Sequence, residues 1–498
     1  MTWLHTELLN QARNHPDRAA IDGGKAGEIG YAQLLTIAGA LSAEIAAADA
    51  PRAIGVLSNR RAEAYCAVLA AFFLGIKFVP LNPGFPAERL ATIVDLAGVD
   101  LVLCDSSTVE LASGLGAHWQ DISGLVASPP AIVADMADRI EADLAIDPGA
   151  IAYQMFTSGS TGEPKGVPVP YGALDHYVRH IRDLVPFPDA ARFSQLFDLS
   201  FDLSIHDIFV ALACGGTIVP AGPIDLMMPH SYIEKRAIDV WFSVPMLAMV
   251  TARGSAEPKT DHRIAVAQFC GEALPMDYVR RFRAWLADDA PLYNLYGPTE
   301  ATIAFTGKPL SESDDAFAVA PLGNVFGDNV IAIQADEGAV IDVAEGVEGE
   351  LLLGGPQVFG GYEPARNLDP FVTQDGVRYY RSGDRVRFAD GELHHLGRID
   401  GQVKLRGLRI ELGEIEAAFR DTFGCDAAAA IVFGEQENAE IRLAYQHDGE
   451  IGDLAPLKTR LPDYMIPKRI WRRDDLPVNV NGKVDRKALG AMTWPDAP

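Results

Sequence analysis

The stretch that decides the fold is residues 156–166, which read FTSGSTGEPKG. Glycines and hydroxyl side chains at this density favour a loop whose backbone N–H groups can approach a phosphate, with serine and threonine hydroxyls as further donors. Lys165 adds a positive charge. The spacing differs from the Walker A pattern, which requires G-x-x-x-x-G-K-[ST]. Taken alone, the stretch leaves open the alternative of a plain Ser/Gly linker.

The composition is that of a large globular protein with an acidic surface. The chain of 498 residues carries 42 Lys+Arg against 68 Asp+Glu, a formal net charge of −26. Nucleic-acid binding needs a basic surface, so this balance argues against it. Almost all of the excess acid lies before Gly397, because residues 397–498 hold 15 Lys+Arg and 17 Asp+Glu. We attribute the acidity of the longer part to solubility.

Cysteine spacing and the N-terminal sequence indicate a cytoplasmic protein. The five cysteines are odd in number, widely spaced and without a CxxC pair, so neither a disulfide framework nor a zinc cluster is predicted. Residues 1–7, MTWLHTE, have no basic start and no long apolar run, unlike a secretory signal. No stretch approaches the roughly 18 apolar residues of a membrane span. We therefore expect a cytoplasmic chain without membrane insertion.

The order of helix and strand patterns predicts two unlike parts. Alternating patterns between residues 31 and 103 predict an α/β fold with largely parallel sheets. Short strand patterns between Gly-rich turns, from 350 to 396, predict a smaller β-rich unit. The sequence GRIDG at 397–401 interrupts this pattern, and an α+β pattern follows it. We place the main domain boundary near Asp400.

Four further segments carry glycines, acids and hydroxyls in turn-like settings. In chain order they are residues 294–302 (NLYGPTEAT), 380–384 (YRSGD), 397–416 (GRIDGQVKLRGLRIELGEIE) and 481–487 (NGKVDRK). Together with residues 156–166, and over about residues 1–490, they resemble the adenylate-forming superfamily: acyl-CoA synthetases, luciferases and amino-acid adenylation domains. The resemblance implies an α/β fold with a large N-terminal domain of stacked α/β sheets plus a small β unit, residues 1–399, and a mobile α+β C-terminal domain, residues 400–498.

The resemblance also implies an ATP site. The residues that it assigns to ATP are Thr157, Ser158, Gly159, Ser160, Thr161, Gly162, Lys165, Gly271, Glu272, Ala273, Tyr296, Gly297, Thr299, Asp384, Arg398 and Lys483. Residues 157–165 would embrace the β- and γ-phosphates. Asp384 would accept both ribose hydroxyls, as an ionised carboxylate can.

Three of the implied residues, Lys483, Thr299 and Glu300, would act at the reacting groups. Thr299 would contact the α-phosphate, and Glu300 would hold Mg²⁺, a hard cation that suits carboxylate and phosphate oxygens. Lys483 would bridge the substrate carboxylate and the α-phosphate and offset the negative charge that opposes attack. Asp400 would be the hinge of the C-terminal domain, since hinges are a few residues at element ends. Each residue alone has a plain alternative, such as a turn residue or a solvated lysine.

Residues 201–204, FDLS, indicate which kind of carboxylic acid is the substrate. They resemble the segment that holds the α-ammonium in amino-acid adenylation domains. A carboxylate opposite an ammonium gives a charge-assisted hydrogen bond. Without that amine, Asp202 would be a costly uncompensated charge. Helix capping is the structural alternative for Asp202. The same four residues occur at 197–200, so Asp198 is the competitor.

Aligned on Asp202, the resemblance implies a mostly apolar and bulky substrate pocket. Its residues are Asp202, Leu203, His206, Phe242, Gln268, Cys270, Leu295, Ile303 and Ala304. The bulk points to a small amino acid, and His206 or Gln268 could bind a hydroxyl or amide. Residues 240–245, 269–272 and 461–467 look most like D-alanine–D-alanyl carrier protein ligases, although His206, Phe242 and Leu295 depart from that pattern.

We expect an AMP-forming ligase that uses ATP and Mg²⁺ to activate a small, D-alanine-like amino acid and loads it onto the phosphopantetheine of a separate carrier protein. The alternatives are adenylation of another small L-amino acid, an acyl-CoA synthetase, or a silent binding protein that keeps the fold. Carriers are acidic, so the basic residues of the near-neutral C-terminal part are a candidate docking face, or else an ordinary solvated face. They are Lys468, Arg469, Arg472 and Arg473.

Overall fold

The computed structural model describes residues 2–24, 27–48, 50–157, 163–253, 258, 260–364, 369–400, 402–405, 407–434, 438–477 and 484–495. The elements before residue 158 are α1 (Trp3–Asn14), β1 (Ala19–Asp22), β2 (Glu28–Gly30), α2 (Tyr31–Ala47), β3 (Ala53–Leu57), α3 (Ala62–Leu74), β4 (Lys77–Leu81), α4 (Ala87–Ala97), β5 (Leu101–Cys104), α5 (Val109–Ser113), β6 (His118–Asp121), α6 (Ser123–Ala127), α7 (Met136–Asp143) and β7 (Ile151–Thr157).

The elements from residue 165 to 325 complete the larger part. They are β8 (Lys165–Pro170), α8 (Tyr171–Leu184), β9 (Arg192–Gln195), α9 (Leu203–Ala213), β10 (Thr217–Pro220), α10 (Pro223–Met227), α11 (Pro229–Arg236), β11 (Val240–Ser243), α12 (Pro245–Arg253), β12 (Val266–Phe269), α13 (Met276–Phe282), β13 (Leu292–Tyr296), β14 (Thr306–Leu310) and β15 (Asn324–Val325). Short 3-10 helices lie between these elements at Arg283–Trp285, Thr299–Ala301 and Glu312–Ala316.

The remaining elements are β16 (Val330–Gln334), β17 (Val340–Ile341), β18 (Glu348–Gly354), β19 (Phe371–Gln374), β20 (Val377–Ala389), β21 (Glu392–Arg398), β22 (Gln402–Leu405), β23 (Leu408–Glu411), α14 (Leu412–Phe423), β24 (Ala427–Phe433), β25 (Glu440–Gln446), β26 (Arg469–Arg472) and α15 (Arg486–Ala491). Two 3-10 helices lie between β25 and β26, at Ala455–Thr459 and Asp463–Met465.

Two large sheets form the body of the protein. One has the order β6-β5-β3-β4-β7-β8, and the other has the order β15-β14-β13-β12-β11-β9-β10-β1-β2, with mostly parallel neighbours in the centre of each. Helix α9 is buried along all of its residues, and its Phe209 ring lies 4.8 Å from Phe72 of α3. Apolar strands and helices buried on both sides are typical of parallel α/β packing. The predicted stacked α/β sheets are therefore confirmed.

An antiparallel sheet of β16 to β21 forms the predicted small β unit. The sequence predicted separate strands at 377–381 and 386–388, whereas the structure has one long strand, β20. The pairing register of β20 shifts across residues 382–384, where Gly383 has φ +73°. Such a bulge re-aims a side chain without ending the strand. Here it places Asp384 in the lining of two cavities, which are described below.

The residues after Asp400, which we call the C-terminal unit, have a hydrophobic core of their own. Helix α14 packs on the sheet β24-β25-β26, and the buried side chains of that core all lie between Ile410 and Met465. The hairpin of β22 and β23 reaches back toward the larger part. The α+β character predicted for this part of the chain is confirmed.

Candidate active site

A first cavity of about 470 Å³ opens where strands β12 and β13 end. Carboxyl ends of parallel strands are the usual place for ligands in α/β folds. Seven residues assigned to ATP from the sequence line it together: Gly271, Glu272, Ala273, Tyr296, Gly297, Asp384 and Arg398. Leu295, predicted as a substrate residue, also lines it, as do His395, Lys404, Val319 and Leu322, to which the sequence assigned no role.

Asp384 is the most densely contacted acid of this cavity. Its Oδ2 accepts a hydrogen bond from the Tyr296 hydroxyl at 2.7 Å, and its Oδ1 lies 3.0 Å from Nη1 of Arg398 and 3.1 Å from Nε2 of His395. Burial alone would raise the pKa of Asp384, but the His395 hydrogen bond and the charges of Lys404 and Arg398 hold that pKa well below its usual range. Asp384 is therefore an ionised acceptor at neutral pH.

Arg398 connects this acid to the predicted hinge. Its Nε and Nη2 donate to the two carboxylate oxygens of Asp400 at 2.8 and 2.5 Å, while its Nη1 holds Asp384. A side chain on Gly383 would collide with this arrangement, since a Cβ there would lie 2.5 Å from Nη2 of Arg398. The bulge at residues 382–384 therefore leaves room for the Arg398 guanidinium to bind the Asp384 and Asp400 carboxylates at the same time.

Glu300 lies in the 3-10 helix after β13 and is fully buried. Its Oε1 accepts from the Tyr362 hydroxyl at 2.9 Å and its Oε2 from Nη1 of Arg409 at 2.7 Å. Burial would raise the pKa of Glu300, but the Arg409 charge and hydrogen bond outweigh it and lower that pKa. The sequence did not assign a role to Arg409, which belongs to the C-terminal unit.

The arms of the Ser/Gly loop lie beside Glu300. Thr157 ends β7, pairs with Lys165 at the start of β8, and buries a hydroxyl that has no partner among the described residues. Nζ of Lys165 lies 5.6 Å from the centre of the Tyr362 ring, whose hydroxyl reaches Glu300. The loop tip, Ser158, Gly159, Ser160, Thr161 and Gly162, lies outside the described residues, as does Lys483.

A second cavity of about 510 Å³ meets the first. The residues common to the two linings are Met246, Gly271, Gly297, Asp384, Arg398, Gln402 and Lys404. The second cavity is lined in addition by Thr299 and by three predicted substrate residues, Asp202, Leu203 and Ile303. The implied nucleotide and amino-acid residues therefore face two spaces that share one wall.

Asp202 and its competitor Asp198 differ in what their carboxylates do. Asp198 accepts the backbone N–H and the hydroxyl of Ser200 at 2.9 and 2.6 Å. Asp202 precedes helix α9, but its side chain makes no capping hydrogen bond, and its buried Oδ2 has no partner among the described residues. Burial raises the pKa of Asp202 to about 6, against the lowering contributions of Thr299 and of the Ile303 backbone. Asp202 thus has an acceptor to offer a cation in the second cavity.

Most of the other predicted substrate residues are packed inside the protein and do not line either cavity. His206, Phe242, Gln268, Cys270 and Ala304 are buried and line neither of the two cavities, and Leu295 lines the first cavity. The His206 and Phe242 rings are 4.0 Å apart between centres.

Both ring nitrogens of His206 already form hydrogen bonds within the protein. Nδ1 of His206 lies 2.7 Å from the Tyr177 hydroxyl and its Nε2 lies 3.2 Å from Oε1 of Gln268. Burial lowers the pKa of His206 to about 3, so the ring is neutral, accepting from Tyr177 and donating to Gln268. The prediction that His206 could bind a substrate hydroxyl is therefore corrected. Burial likewise raises the pKa of Cys270 to about 12, which leaves it a thiol.

The C-terminal unit closes against this site at three points. The Gly407 N–H donates to Oε1 of Glu272 at 2.6 Å, and a Cβ on Gly407 would lie 2.3 Å from Cγ1 of Val244. Arg409 reaches Glu300, as described above. Farther out, Arg89 of α4 and Glu414 of α14 form a buried ion pair.

The candidate carrier face is less basic than its sequence suggests. Arg469 lies 3.5 Å from Glu440, and Arg473 lies 3.0 Å from Asp475. Lys468 and Arg472 are exposed, and neither forms an ion pair with an acid in the described part of the chain.

No group of three or more His, Cys, Asp or Glu side chains in the described ranges could hold a metal ion. Among the described helices, none combines the length and the apolar character that crossing a bilayer requires.

The family described as AMP-binding enzyme matches residues 8–363 of this chain. A phosphinothricin tripeptide synthetase, PhsC, of Streptomyces viridochromogenes is 34% identical over 98% of this chain, which spans 45% of that relative. An L-proline–[L-prolyl-carrier protein] ligase of Pseudomonas fluorescens is 35% identical over 84% of this chain and 85% of its own length.

Two solved structures that are similar to this chain contain adenylation domains. The Vibrio cholerae adenylation domain AlmE, in complex with glycyl-adenosine-5′-phosphate, has a TM-score of 0.88 at 28% identity and covers 98% of this chain and 97% of its own. Holo-PA1221, a protein containing adenylation and PCP domains, has a TM-score of 0.83 at 26% identity and covers 98% and 83%.

Proposed function

The chain belongs to the family of AMP-binding enzymes, and on that premise we propose that it is an AMP-forming ligase of a small amino acid and a carrier protein. In the first step the amino-acid carboxylate attacks the α-phosphorus of ATP, which forms the aminoacyl adenylate and releases pyrophosphate. In the second step the thiol of a carrier's phosphopantetheine attacks the acyl carbon, which forms the thioester and releases AMP and a proton.

One observation carries this proposal. Asp384 lies in the wall that the first cavity, with the implied adenine residues, shares with the second cavity, which Asp202 and Thr299 line side by side. An adenylate has a nucleoside at one end and an ammonium at the other, with the phosphate between them. The two acids are the acceptors that those ends need, and Thr299 adds a hydroxyl next to Asp202 in the second cavity.

Further residues have proposed roles in the first step. Residues 157–165 bind the β- and γ-phosphates, with Lys165 as the cation of that loop. Gly271, Glu272 and Ala273 flank the adenine together with Tyr296. Lys483 bridges the substrate carboxylate and the α-phosphate, where its charge offsets repulsion between the two.

Mg²⁺ fits this site under one condition. Mg²⁺ is usually held by one or two carboxylates together with substrate phosphates and water, and Glu300 is a buried carboxylate bonded to Tyr362, over whose ring Lys165 of the loop lies. Arg409 now occupies that carboxylate, so the metal requires Arg409 to withdraw. Bound there, Mg²⁺ would neutralise phosphate charge.

The amino acid is proposed to be small. Phe242 packs behind Phe197, a residue of the second cavity, and against His206, whose contacts with Gln268 and Tyr177 hold both rings in place. A D-alanine-like substrate is our finer proposal, and glycine or another small L-amino acid are its competitors. The relatives named for prolyl carriers and the glycyl-adenylate complex of AlmE support small substrates in general.

The division of labour along the chain is also a proposal. Residues 1–399 form the core that binds ATP and the amino acid, and residues 400–498 form a unit that pivots at Asp400. The described placement, with Gly407 and Arg409 in the site, suits the second step. The first step needs Lys483 in the site and Arg409 away from Glu300.

The test is ATP–pyrophosphate exchange over a panel of glycine, both alanine enantiomers, L-serine, L-proline, L-leucine and simple aliphatic and aryl acids. We expect exchange with one or more small amino acids and little with leucine. Exchange with the acids but with no amino acid would overturn the proposal and indicate an acyl-CoA synthetase. No exchange at all would indicate a silent binding protein. Loading of a phosphopantetheinylated carrier, with free CoA as the competing acceptor, tests the second step.

A further inference from the structure

We propose that His395 is a positioning residue of the nucleotide site, which holds the Asp384 carboxylate in the orientation that accepts the ribose hydroxyls. This inference rests on the proposed function, since Asp384 must be the ribose acceptor for it to hold. The sequence offered no reason to single out His395, which is one of two adjacent histidines in the segment GELHHLGR, residues 391–398.

The geometry brings His395 to Asp384 across two strands. His395 lies on β21 opposite Val386 of β20, beyond the bulge that turns Asp384 inward. Its Nε2 lies 3.1 Å from Oδ1 of Asp384, and its ring lines the first cavity. The His395 side chain is 19% exposed, so solvent competes little for the bond.

The direction of the hydrogen bond is fixed by the acid. Asp384 has a pKa well below its usual range, so its carboxylate is ionised and can only accept. Nε2 of His395 must therefore carry the proton and donate it to Oδ1.

A count of acceptor positions separates His395 from the other donors. A carboxylate has about four lone-pair positions, and Tyr296, Arg398 and His395 use three of those on Asp384. Two vicinal ribose hydroxyls need two positions, so one protein donor must give way. Arg398 is the donor with a second carboxylate, Asp400, to which it is bound through two nitrogens. His395 then remains to fix Oδ1 when Arg398 turns away.

The neighbouring His394 supplies a matched control. Its Nε2 lies 3.1 Å from the backbone carbonyl of Ala389, and its ring packs 5.1 Å from that of Phe317. It is half-buried like His395 but does not line the first cavity. Replacing either histidine by leucine removes one imidazole from the same strand.

The experiment measures binding of AMP, 2′-deoxy-AMP and 3′-deoxy-AMP by isothermal titration calorimetry. The proteins are the wild type, His395→Leu, His395→Gln, His394→Leu and Asp384→Asn. We expect His395→Leu to bind AMP about tenfold more weakly, the usual effect of one hydrogen bond to a charged group, and to lose most of its preference for AMP over the deoxynucleotides. His395→Gln keeps a donor near the Nε2 position and should restore both, while His394→Leu should match the wild type.

Two results would overturn the inference. One is a His395→Leu protein with wild-type affinity and wild-type preference for AMP. The other is an equal loss for all three nucleotides in His395→Leu and His394→Leu, which would indicate a purely structural effect. The Asp384→Asn variant distinguishes a failure of the proposed ribose role of Asp384 from a failure of the role inferred for His395. If Asp384→Asn retains the preference for AMP, the ribose role of Asp384 itself is wrong, whereas a preference lost in Asp384→Asn and kept in His395→Leu defeats only the role of His395.

Discussion

The Arg409 guanidinium of the C-terminal unit lies 2.7 Å from the carboxylate of Glu300, which is fully buried in the larger part of the chain. The residue proposed to hold a divalent cation is thus already neutralised by a cation of the protein. A second positive charge at that distance would be repelled by several kcal/mol at the effective dielectric constant of a protein, so arginine and metal are alternatives.

Removing the Arg409 charge should strengthen divalent-metal binding by the free protein. In Arg409→Gln, Glu300 keeps its place but loses its counter-cation, and we expect Mn²⁺ affinity to rise about tenfold, as measured by the electron paramagnetic resonance of free Mn²⁺. Glu300→Gln should abolish the gain. Arg460→Gln, which removes an exposed arginine paired with Asp421 in the same unit, is the control. Unchanged Mn²⁺ affinity in Arg409→Gln would refute the competition.

Asp202 should make the ligand-free protein less stable as the pH rises. Its folded-state pKa of about 6 lies above the ordinary value of 3.8, so between these pH values the folded state binds more protons than the unfolded state. Stability therefore falls as the pH rises through this window. Asp202→Asn should remove that slope and raise the free energy of unfolding at pH 7 by about 3 kcal/mol, as measured by urea denaturation.

The same substitution should abolish amino-acid-dependent pyrophosphate exchange, because the ammonium loses its carboxylate. Asp198→Asn is the matched control: it removes the charge, its Oδ1 can still accept from Ser200, and it should keep the amino-acid preference. If Asp198→Asn loses exchange and Asp202→Asn keeps it, the two acids have been assigned the wrong way round.

Phe242→Ala should widen the range of amino acids toward larger side chains. Phe242 packs against His206 and against Phe197, which lines the second cavity, so its removal leaves space behind that wall of the cavity. We expect exchange with L-leucine or L-phenylalanine to rise relative to glycine and alanine, while stability falls by about 3–5 kcal/mol. Trp241→Phe, on the opposite face of β11, should cost stability without changing preference. An unaltered preference in Phe242→Ala would show that the substrate pocket lies elsewhere.

The buried pair of Arg89 and Glu414 should hold the C-terminal unit in its described placement. Arg89→Met removes the buried cation that pairs with Glu414, at a cost of about 3–5 kcal/mol if the interface stayed closed, so the unit should detach. We expect faster proteolytic cleavage between residues 400 and 407 in Arg89→Met. Adding Glu414→Met should slow it again, because an apolar pair can replace a buried ion pair at little cost. Equal cleavage rates in the wild type and both variants would contradict this.

The sequence was informative where a short segment carries its own signal. Residues 156–166 and the turn segments identify the family and the stacked-sheet fold, because glycines and hydroxyls at fixed spacings reflect local backbone requirements. The contacts of His395 and Arg409 have no local signal. The first depends on the register of β20 and β21 and on the bulge at 382–384, and the second joins residues 109 positions apart. For the same reason the sequence could not show that both nitrogens of His206 are already bonded to the protein.

The guanidinium shared by Asp384 and Asp400 has a thermodynamic consequence. A ligand that breaks the bond between Arg398 and Asp384 leaves Arg398 bonded to Asp400 alone. Conversely, a movement of Asp400 that shifts Arg398 changes which donors remain at Asp384. For the proposed pivot at Asp400, thermodynamic reciprocity then applies: the factor by which nucleotide binding shifts the balance between two placements of the C-terminal unit equals the ratio of nucleotide affinities in those placements. On that proposal, a single arginine couples the backbone torsion at residue 400 to nucleotide binding at Asp384.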